Sequence, residues 1–152
     1  MSDARRVVAL FPFGPPVSAA SSHGAAPGGP PLILVVDDDA DARDTLSLLL
    51  ETLGYRVATA SDGSEALRRC RELLPPLVLA DLLMPVMDGI GLAKALRADP
   101  LTASIRIVLC SGIAETRVRR LFCGHDAYLE KPFDAVTLGR VVRALAPLPV
   151  AA

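Results

Sequence analysis

The chain has 152 residues, of which 51% are hydrophobic, and its 16 basic and 17 acidic side chains give a net charge of −1. This length suffices for one domain with a hydrophobic core, and the near-neutral charge argues against broad electrostatic binding of nucleic acid. The longest apolar runs, such as "LILVV" at 32–36, are too short to cross a bilayer, so we expect a soluble protein without membrane insertion.

The three cysteines, Cys70, Cys110 and Cys123, are odd in number and lack CxxC spacing. This pattern predicts neither a disulfide framework nor a zinc site. We interpret "CGH" (Cys123 to His125) as a packed thiol beside an imidazole in a turn, and expect a reducing, cytoplasmic setting.

Residues 1–31 differ from the rest, because they contain six prolines and four glycines. This composition is typical of disordered segments. A signal peptide is the alternative, since Arg5 and Arg6 precede a short apolar stretch, but prolines interrupt that stretch. We therefore predict a disordered extension at 1–31, one domain at 32–146 and a short tail at 147–152.

From Leu32 onward, apolar runs alternate with segments of helical periodicity. "LILVVD" (32–37) is continuously apolar, which is typical of a parallel strand buried on both faces. "ADARDTLSLLLETLG" has leucines at helical spacing and predicts a helix that stops at Gly54. "YRVATA" (55–60) predicts the second strand, and "SDGSEALRRCRELLPP" predicts a helix that begins near Asp62 or Ser64.

The same alternation continues to the end of the chain. "LVLAD" (77–81) predicts the third strand and "DGIGLAKALRAD" the third helix. "IRIVLCSG" (105–112) predicts the fourth strand, and "AETRVRRLFCG" a helix closed by Gly124. "DAYLEKPF" predicts the fifth strand, and "DAVTLGRVVRALA" a helix capped by Asp134. Five apolar strands alternating with five helices predict a doubly wound α/β domain with a parallel sheet covered on both faces.

Polar side chains stand at the carboxyl ends of four predicted strands, where such sheets bind their ligands. Each of them alone would be an ordinary helix cap, loop residue or strand exit. Together, at matched strand ends, they indicate one functional site. They are Asp37 and Asp38 after the first strand, Asp81 at the end of the third, Ser111 at the end of the fourth and Lys131 at the end of the fifth.

These side chains suggest phosphoryl chemistry. Two carboxylates about 5 Å apart repel each other by about 3 kcal/mol at an effective dielectric constant near 20, so three of them would take up protons or hold a cation. An all-oxygen cluster suits Mg²⁺. With that charge offset, one carboxylate could attack phosphorus while the lysine and the hydroxyl bind the phosphoryl oxygens. The expected product is an aspartyl phosphate.

The motifs "LVVDDD", "DLLMPVMDG", "CSG" and "YLEKPF", in this order, resemble the receiver domain of bacterial two-component response regulators over about residues 32–146. The resemblance implies a flavodoxin-like (βα)5 fold with a five-stranded parallel sheet in the order 2-1-3-4-5. It also implies Asp81 as the phosphoacceptor, Lys131 and Ser111 as residues that bind phosphoryl oxygens, and a cis peptide bond between Lys131 and Pro132.

The resemblance further implies a metal site and a switch. Asp37, Asp38, Asp81 and the backbone carbonyl of Leu83 correspond to the ligands of Mg²⁺. Ser111 and Tyr128 correspond to the pair that moves on phosphorylation, so we expect the tyrosine ring to fill space that the serine vacates.

Two departures from the family carry expectations of their own. The interval from Ser111 to Lys131 is 20 positions, which is short for the family and predicts a shortened fourth helix or preceding loop. Leu83 and Ile113, both bulky and apolar, stand where the family tunes loss of the phosphoryl group, and predict slower hydrolysis.

We therefore expect a stand-alone response regulator that receives its phosphoryl group from a sensor histidine kinase or a histidine phosphotransfer protein and changes a protein-docking face. Beyond its own phosphorylation and dephosphorylation, it is not expected to be an enzyme. A Mg²⁺-dependent phosphatase with an aspartate nucleophile is one alternative, but such enzymes need an acid where this chain has Leu83. A flavin-binding module would need a phosphate-binding loop where this chain has three acids.

A partner-dependent transcription regulator is the remaining alternative. The basic runs at 68–71 and 117–120 are interpreted as solvated helix faces. Only "PLPVAA" follows the last predicted helix, so we expect no DNA-binding output domain and no direct contact with nucleic acid.

Overall fold

The computed structural model of the chain describes residues 7–8 and 29–149. Most of the extension predicted at 1–31, and the end of the tail predicted at 147–152, therefore lie outside the described residues. Among the helices within those limits, none is both long enough and apolar enough to cross a bilayer.

Six strands and five helices occur in the described part of the chain. The strands are β1 (Val7–Val8), β2 (Leu32–Val36), β3 (Arg56–Ala60), β4 (Leu77–Asp81), β5 (Arg106–Ser111) and β6 (Ala127–Glu130). The helices are α1 (Ala40–Thr52), α2 (Gly63–Leu73), α3 (Gly89–Ala98), α4 (Glu115–Arg119) and α5 (Ala135–Leu145).

All six strands form one sheet in the order β1-β6-β5-β4-β2-β3. The five predicted strands, β2 to β6, are mutually parallel. They lie in the order β3-β2-β4-β5-β6, which is the expected 2-1-3-4-5 when these five strands are counted from one. The prediction of a doubly wound, flavodoxin-like sheet is therefore confirmed. β1 was not predicted; it pairs antiparallel with β6 at the sheet edge, with Val7 opposite Leu129 and Val8 opposite Tyr128. Two residues are too few for a recognisable strand pattern.

The central strands are buried because helices cover both faces of the sheet. Successive residues of a strand point to opposite faces, and β2 shows this directly. Leu34 and Val36 belong to the core cluster that α2, α3 and α4 cover, whereas Ile33 and Val35 belong to the cluster under α1 and α5. This two-sided burial explains the continuous apolar strands.

Aspartate caps the first turn of four helices, and its side chain accepts a hydrogen bond from a backbone N–H there. The capping residues are Asp39, Asp62, Asp88 and Asp134. α4 has no side-chain cap. The prediction that it continues to Gly124 is wrong, because it ends at Arg119 and Phe122 turns onto the core. The helix has 5 residues, and a shortened fourth helix is one of the two outcomes expected from the sequence.

The interpretation of "CGH" also needs correction. Cys123 is exposed, so it is not a packed thiol. The buried member of the motif is His125, whose side chain is only 3% exposed. The exposed turn that follows the short α4 leaves the cysteine in solvent and directs the imidazole inward.

Candidate functional site

The sheet brings the predicted polar residues to one edge, formed by the carboxyl ends of the strands, because the strands end in register. Ala80 pairs with Val36 on one side of β4, and Asp81 pairs with Cys110 on the other. Ser111 ends β5 opposite Glu130, the last residue of β6. The side chains that follow these positions therefore meet at the carboxyl edge of the sheet.

Three carboxylates form a cluster at this edge. Asp37, Asp38 and Asp81 each offer one oxygen, and these oxygens all lie within 4.8 Å of one another. The Asp37 Oδ1 atom accepts a hydrogen bond of 2.9 Å from the Asp39 N–H, and Arg43 donates one of 2.7 Å to the Asp37 carbonyl. These bonds fix the turn from β2 into α1. Asp37 is buried and Asp38 exposed, so the cluster reaches from the sheet to solvent.

The Lys131 amine lies between two of these carboxylates. Its Nζ atom is 3.4 Å from Asp81 Oδ1 and 3.6 Å from Asp37 Oδ2. Burial raises the pKa of Asp81, and the Asp37 charge raises it further, although Lys131 opposes both effects. Burial alone would lower the pKa of Lys131, but the charges of Asp81 and Asp37 outweigh it and raise that pKa. The Lys131–Pro132 peptide bond is cis, as expected.

The loop after β4 is shaped by a close backbone approach. A Cβ atom on Gly89 would lie 2.6 Å from the Asp81 carbonyl oxygen, so only glycine fits there without moving Asp81. Val86 has a φ of 69°, a left-handed conformation that is unfavourable for a β-branched residue. Its side chain is 86% exposed. Nothing in the residue pattern around Val86 predicts this strain.

The donor set at the edge fits Mg²⁺. Three carboxylates and one ammonium give a formal charge of −2, which a divalent cation balances. Mg²⁺ binds oxygen at about 2.0–2.1 Å, so two ligands on opposite sides of the ion are about 4.1 Å apart. The three carboxylate oxygens, all within 4.8 Å of one another, are near enough for one ion to bind them. Within the described residues, the Leu83 carbonyl accepts no hydrogen bond and so remains available as a ligand.

Ser111 and Tyr128 are joined through the backbone of Ile113. The Ser111 Oγ atom accepts a hydrogen bond of 3.1 Å from the Ile113 N–H, and the Tyr128 hydroxyl donates one of 2.6 Å to the Ile113 carbonyl. The tyrosine is only 1% exposed. Burial raises its pKa, and a hydrogen bond with Ser111 partly opposes that rise.

The structure thus brings together four of the predicted side chains in one ionic cluster: Asp37, Asp38, Asp81 and Lys131. Ser111 and Tyr128 form a second group with Ile113. Leu83 is 62% exposed, and its side chain belongs to neither group. Sequence reasoning missed the contact of Arg43 with the Asp37 carbonyl and the two hydrogen bonds of the Ile113 backbone, because residue type does not predict which main-chain atoms a side chain will bind.

The comparisons with known proteins agree with this geometry. The family model of the response regulator receiver domain matches residues 33–143. The transcriptional regulatory protein PrrA of Mycobacterium tuberculosis is 41% identical over 111 residues, which cover 73% of this chain and 48% of PrrA. The DNA-binding response regulator MtrA of Mycobacterium leprae is 42% identical over 112 residues, 72% of this chain and 48% of MtrA. The chain thus spans about half the length of these curated relatives.

Two solved structures share the fold. The receiver domain of the sensor histidine kinase PA1611 from Pseudomonas aeruginosa, with a magnesium ion coordinated in its active-site cleft, has a TM-score of 0.71 and 28% identity, covering 78% of this chain and 98% of its own. The chemotaxis protein CheY4 of Vibrio cholerae has a TM-score of 0.71 and 29% identity, covering 77% of this chain and 99% of its own. The chain therefore belongs to the family of response regulator receiver domains.

Proposed function

We propose that Asp81 accepts a phosphoryl group from a sensor histidine kinase or a histidine phosphotransfer protein, in the presence of Mg²⁺. The observation that carries this proposal is the position of the Lys131 amine, 3.4 Å from Asp81 in an acidic cluster at the sheet edge. A carboxylate, a charge-compensating amine and oxygen ligands for a metal are the groups that phosphoryl transfer to an acid requires.

The chain's own residues divide the reaction between them. An Asp81 oxygen attacks phosphorus, the new P–O bond forms, and the P–N bond of the donor phosphohistidine breaks so that the imidazole leaves. Lys131 holds Asp81 ionised and then pairs with a phosphoryl oxygen. Asp37, Asp38, Asp81 and the Leu83 carbonyl would hold the metal. Mg²⁺, when bound, supplies positive charge that offsets the carboxylates and the phosphoryl oxygens.

The signal leaves the site through Ile113. When the Ser111 hydroxyl turns to a phosphoryl oxygen, the Ile113 N–H loses its acceptor, and the loop that carries the carbonyl partner of Tyr128 is free to move. A hydrogen bond to a charged group contributes about 1.5–3 kcal/mol. The sequence predicted that the Tyr128 ring moves into space left by Ser111, but the ring is already buried. We therefore propose instead that phosphorylation shifts this loop between two arrangements. The altered surface of α4, β6 and α5 is the proposed docking face.

We propose that the protein catalyses only its own phosphorylation and dephosphorylation. A phosphatase with an aspartate nucleophile would need a proton donor two positions after Asp81. That position is Leu83, whose side chain cannot donate a proton. We retain the prediction of slow dephosphorylation, because Leu83 and Ile113 are bulky. Action in the cytoplasm likewise remains a prediction.

Control of transcription is the second candidate function. PrrA is a transcriptional regulatory protein and MtrA a DNA-binding response regulator, and the expectation of no direct contact with nucleic acid fits these relatives poorly. That the protein acts as a stand-alone receiver is therefore still only a prediction. Fluorescence anisotropy with labelled duplex DNA, with and without acetyl phosphate, distinguishes direct DNA binding from action through a protein partner.

Intact mass spectrometry after incubation with acetyl phosphate and Mg²⁺ tests the main proposal. The wild type should gain the mass of one phosphoryl group, and Asp81→Asn should not. Asp88→Asn is the matched control, because Asp88 belongs to the same motif but caps α3, and it should still gain the adduct. An undiminished adduct in Asp81→Asn would assign the phosphoacceptor elsewhere.

A further inference from the structure

A buried pair of polar side chains, a glutamate and a histidine, lies outside the phosphoryl site. Glu115, the first residue of α4, and His125, in the turn before β6, have side chains only 2% and 3% exposed. The His125 Nε2 atom is 3.1 Å from Glu115 Oε1. Arg119 places its Nε and Nη2 atoms 3.0 and 2.9 Å from the same oxygen. Nothing in the proposed phosphoryl transfer uses these side chains.

The pair is only half satisfied. The second carboxylate oxygen, Glu115 Oε2, and the second ring nitrogen, His125 Nδ1, are both buried and have no hydrogen-bond partner among the described residues. Buried polar atoms without partners are costly, and in folded proteins they call for an explanation. An apolar pair of similar volume would fill the space without that cost. A contribution to the stability of the folded protein therefore does not explain why this pair is present.

The position of the pair suggests what it does. The segment that leads into α4 is held to β6 and to the turn before it by three contacts. The Tyr128 hydroxyl donates to the Ile113 carbonyl, the Glu115 N–H donates to Glu130 Oε1 at 3.2 Å, and His125 contacts the Glu115 carboxylate. The rings of His125 and Tyr128 lie 5.8 Å apart between centroids. The pair therefore adjoins the tyrosine of the switch.

We propose that Glu115 and His125 are positioning residues of the switch, and that their contact holds the start of α4 on β6 until phosphorylation of Asp81 releases it. Ile113, which Ser111 and Tyr128 both bind, is two residues before Glu115, so a displacement of Ile113 reaches the pair directly. The helix α4 has only five residues, and Val118 is the one apolar side chain that it buries in the core. This inference rests on the proposed function, because phosphorylation of Asp81 is its trigger.

The wild-type protein itself gives the first test. NMR of the full chain with ¹⁵N-labelled histidine follows the His125 ring, with and without beryllofluoride, a mimic of the acyl phosphate. We expect the Nε2 proton to exchange slowly with water in the free protein and at least tenfold faster with beryllofluoride. Unchanged exchange, in a sample that binds beryllofluoride, would overturn the proposal whatever the variants do.

Variants give the second test. In His125→Ala, the beryllofluoride-induced amide shifts of residues 113–118 should fall to half or less of the wild-type shifts, because the segment is already released. His125→Gln retains an N–H donor of similar reach and should restore them. Arg120→Gln changes an exposed residue at the end of the same helix and should match the wild type. Full shifts in His125→Ala would show that the pair does not position the switch.

Intact mass after treatment with acetyl phosphate separates the two proposals. Each of these variants should gain the phosphoryl adduct on Asp81, since the pair lies outside the acidic cluster. If the wild type gained no adduct, the proposed function would fail. If His125→Ala gained the adduct but kept wild-type shifts, only the positioning role would fail.

Discussion

Two aspartates at opposite ends of the sheet have contrasting surroundings. Asp126, at the amino end of β6, binds Arg97 at 2.8 Å and Arg106 at 3.2 Å, and also accepts a bond of 2.8 Å from the Ile107 N–H. Asp81, at the carboxyl end of β4, is compensated mainly by one amine at 3.4 Å, while burial raises its pKa. The protein satisfies the first carboxylate itself, whereas the second keeps the charge that the proposed binding of a metal and a phosphoryl group requires.

This contrast separates structure from chemistry within one fold. Arg97 also donates to the carbonyls of Ala103, Ile105 and Gly124, so the amino end of the sheet is tied together around one guanidinium. At the carboxyl end, the loop after β4 carries the strained Val86, and the loop after β2 carries the exposed Asp38. Changes at the amino end should therefore alter stability, and changes at the carboxyl end should alter phosphorylation.

The largest expected effect is on phosphorylation in Lys131→Met. Removing a group that stabilises transition-state charge typically slows a reaction roughly 100- to 1,000-fold. A time course of adduct formation from acetyl phosphate, followed by intact mass, measures the rate. Lys94→Met is the control, since Lys94 is the chain's other lysine and lies exposed on α3. Equal rates in the two variants would show that Lys131 does not assist the transfer.

Asp126→Ala should have the opposite effect to Lys131→Met, because it should lower stability and leave phosphorylation intact. It removes two ion pairs and a backbone contact, of which the Arg106 pair is half-exposed and contributes little. We expect a loss of about 2 kcal/mol in the free energy of unfolding, with adduct formation retained. Urea unfolding measures the first quantity, and Glu72→Ala, which breaks an exposed ion pair with Arg68, should change it by less than about 0.5 kcal/mol. Equal losses in both variants would contradict the contrast.

Ser111→Ala should break the coupling and leave the acceptor intact. Without the hydroxyl, beryllofluoride should bind but shift the amides around Tyr128 and α4 far less, because about 1.5 kcal/mol, a tenfold bias, is lost. Comparison of ¹⁵N–¹H spectra measures this, with Ser64→Ala as the hydroxyl control. Wild-type shifts in Ser111→Ala would place the coupling outside Ser111.

The smallest effect concerns pH. Because the pKa of Asp81 is raised above its ordinary value of 3.8, ionisation of Asp81 costs the folded state stability as pH rises. Without Mg²⁺, the wild type should lose stability relative to Asp81→Asn between about pH 4 and neutrality. Unfolding in urea at both limits measures the difference, which added Mg²⁺ should reduce. A pH-independent difference would mean that burial and Asp37 do not perturb Asp81.

The carboxyl end was more predictable from the sequence than the rest of the molecule. Asp81 and Lys131 follow apolar strands, and the parallel order of those strands dictates that they meet. The end of α4 at Arg119 and the burial of His125 depend on packing between distant segments, which local periodicity does not encode. β1 was missed for a similar reason, since a pair of valines forms a strand only where β6 offers it an edge.

Ile113 offers a route to independent tuning. Ser111 and Tyr128 bind its N–H and its carbonyl, so one link between them runs through main-chain atoms. Nineteen of the twenty amino acids carry both groups, and proline is the exception. If the side chain at position 113 sets the rate of dephosphorylation, as proposed above, it can vary without changing the hydrogen bonds that join Ser111 to Tyr128. Duration and transmission can then evolve separately at one residue.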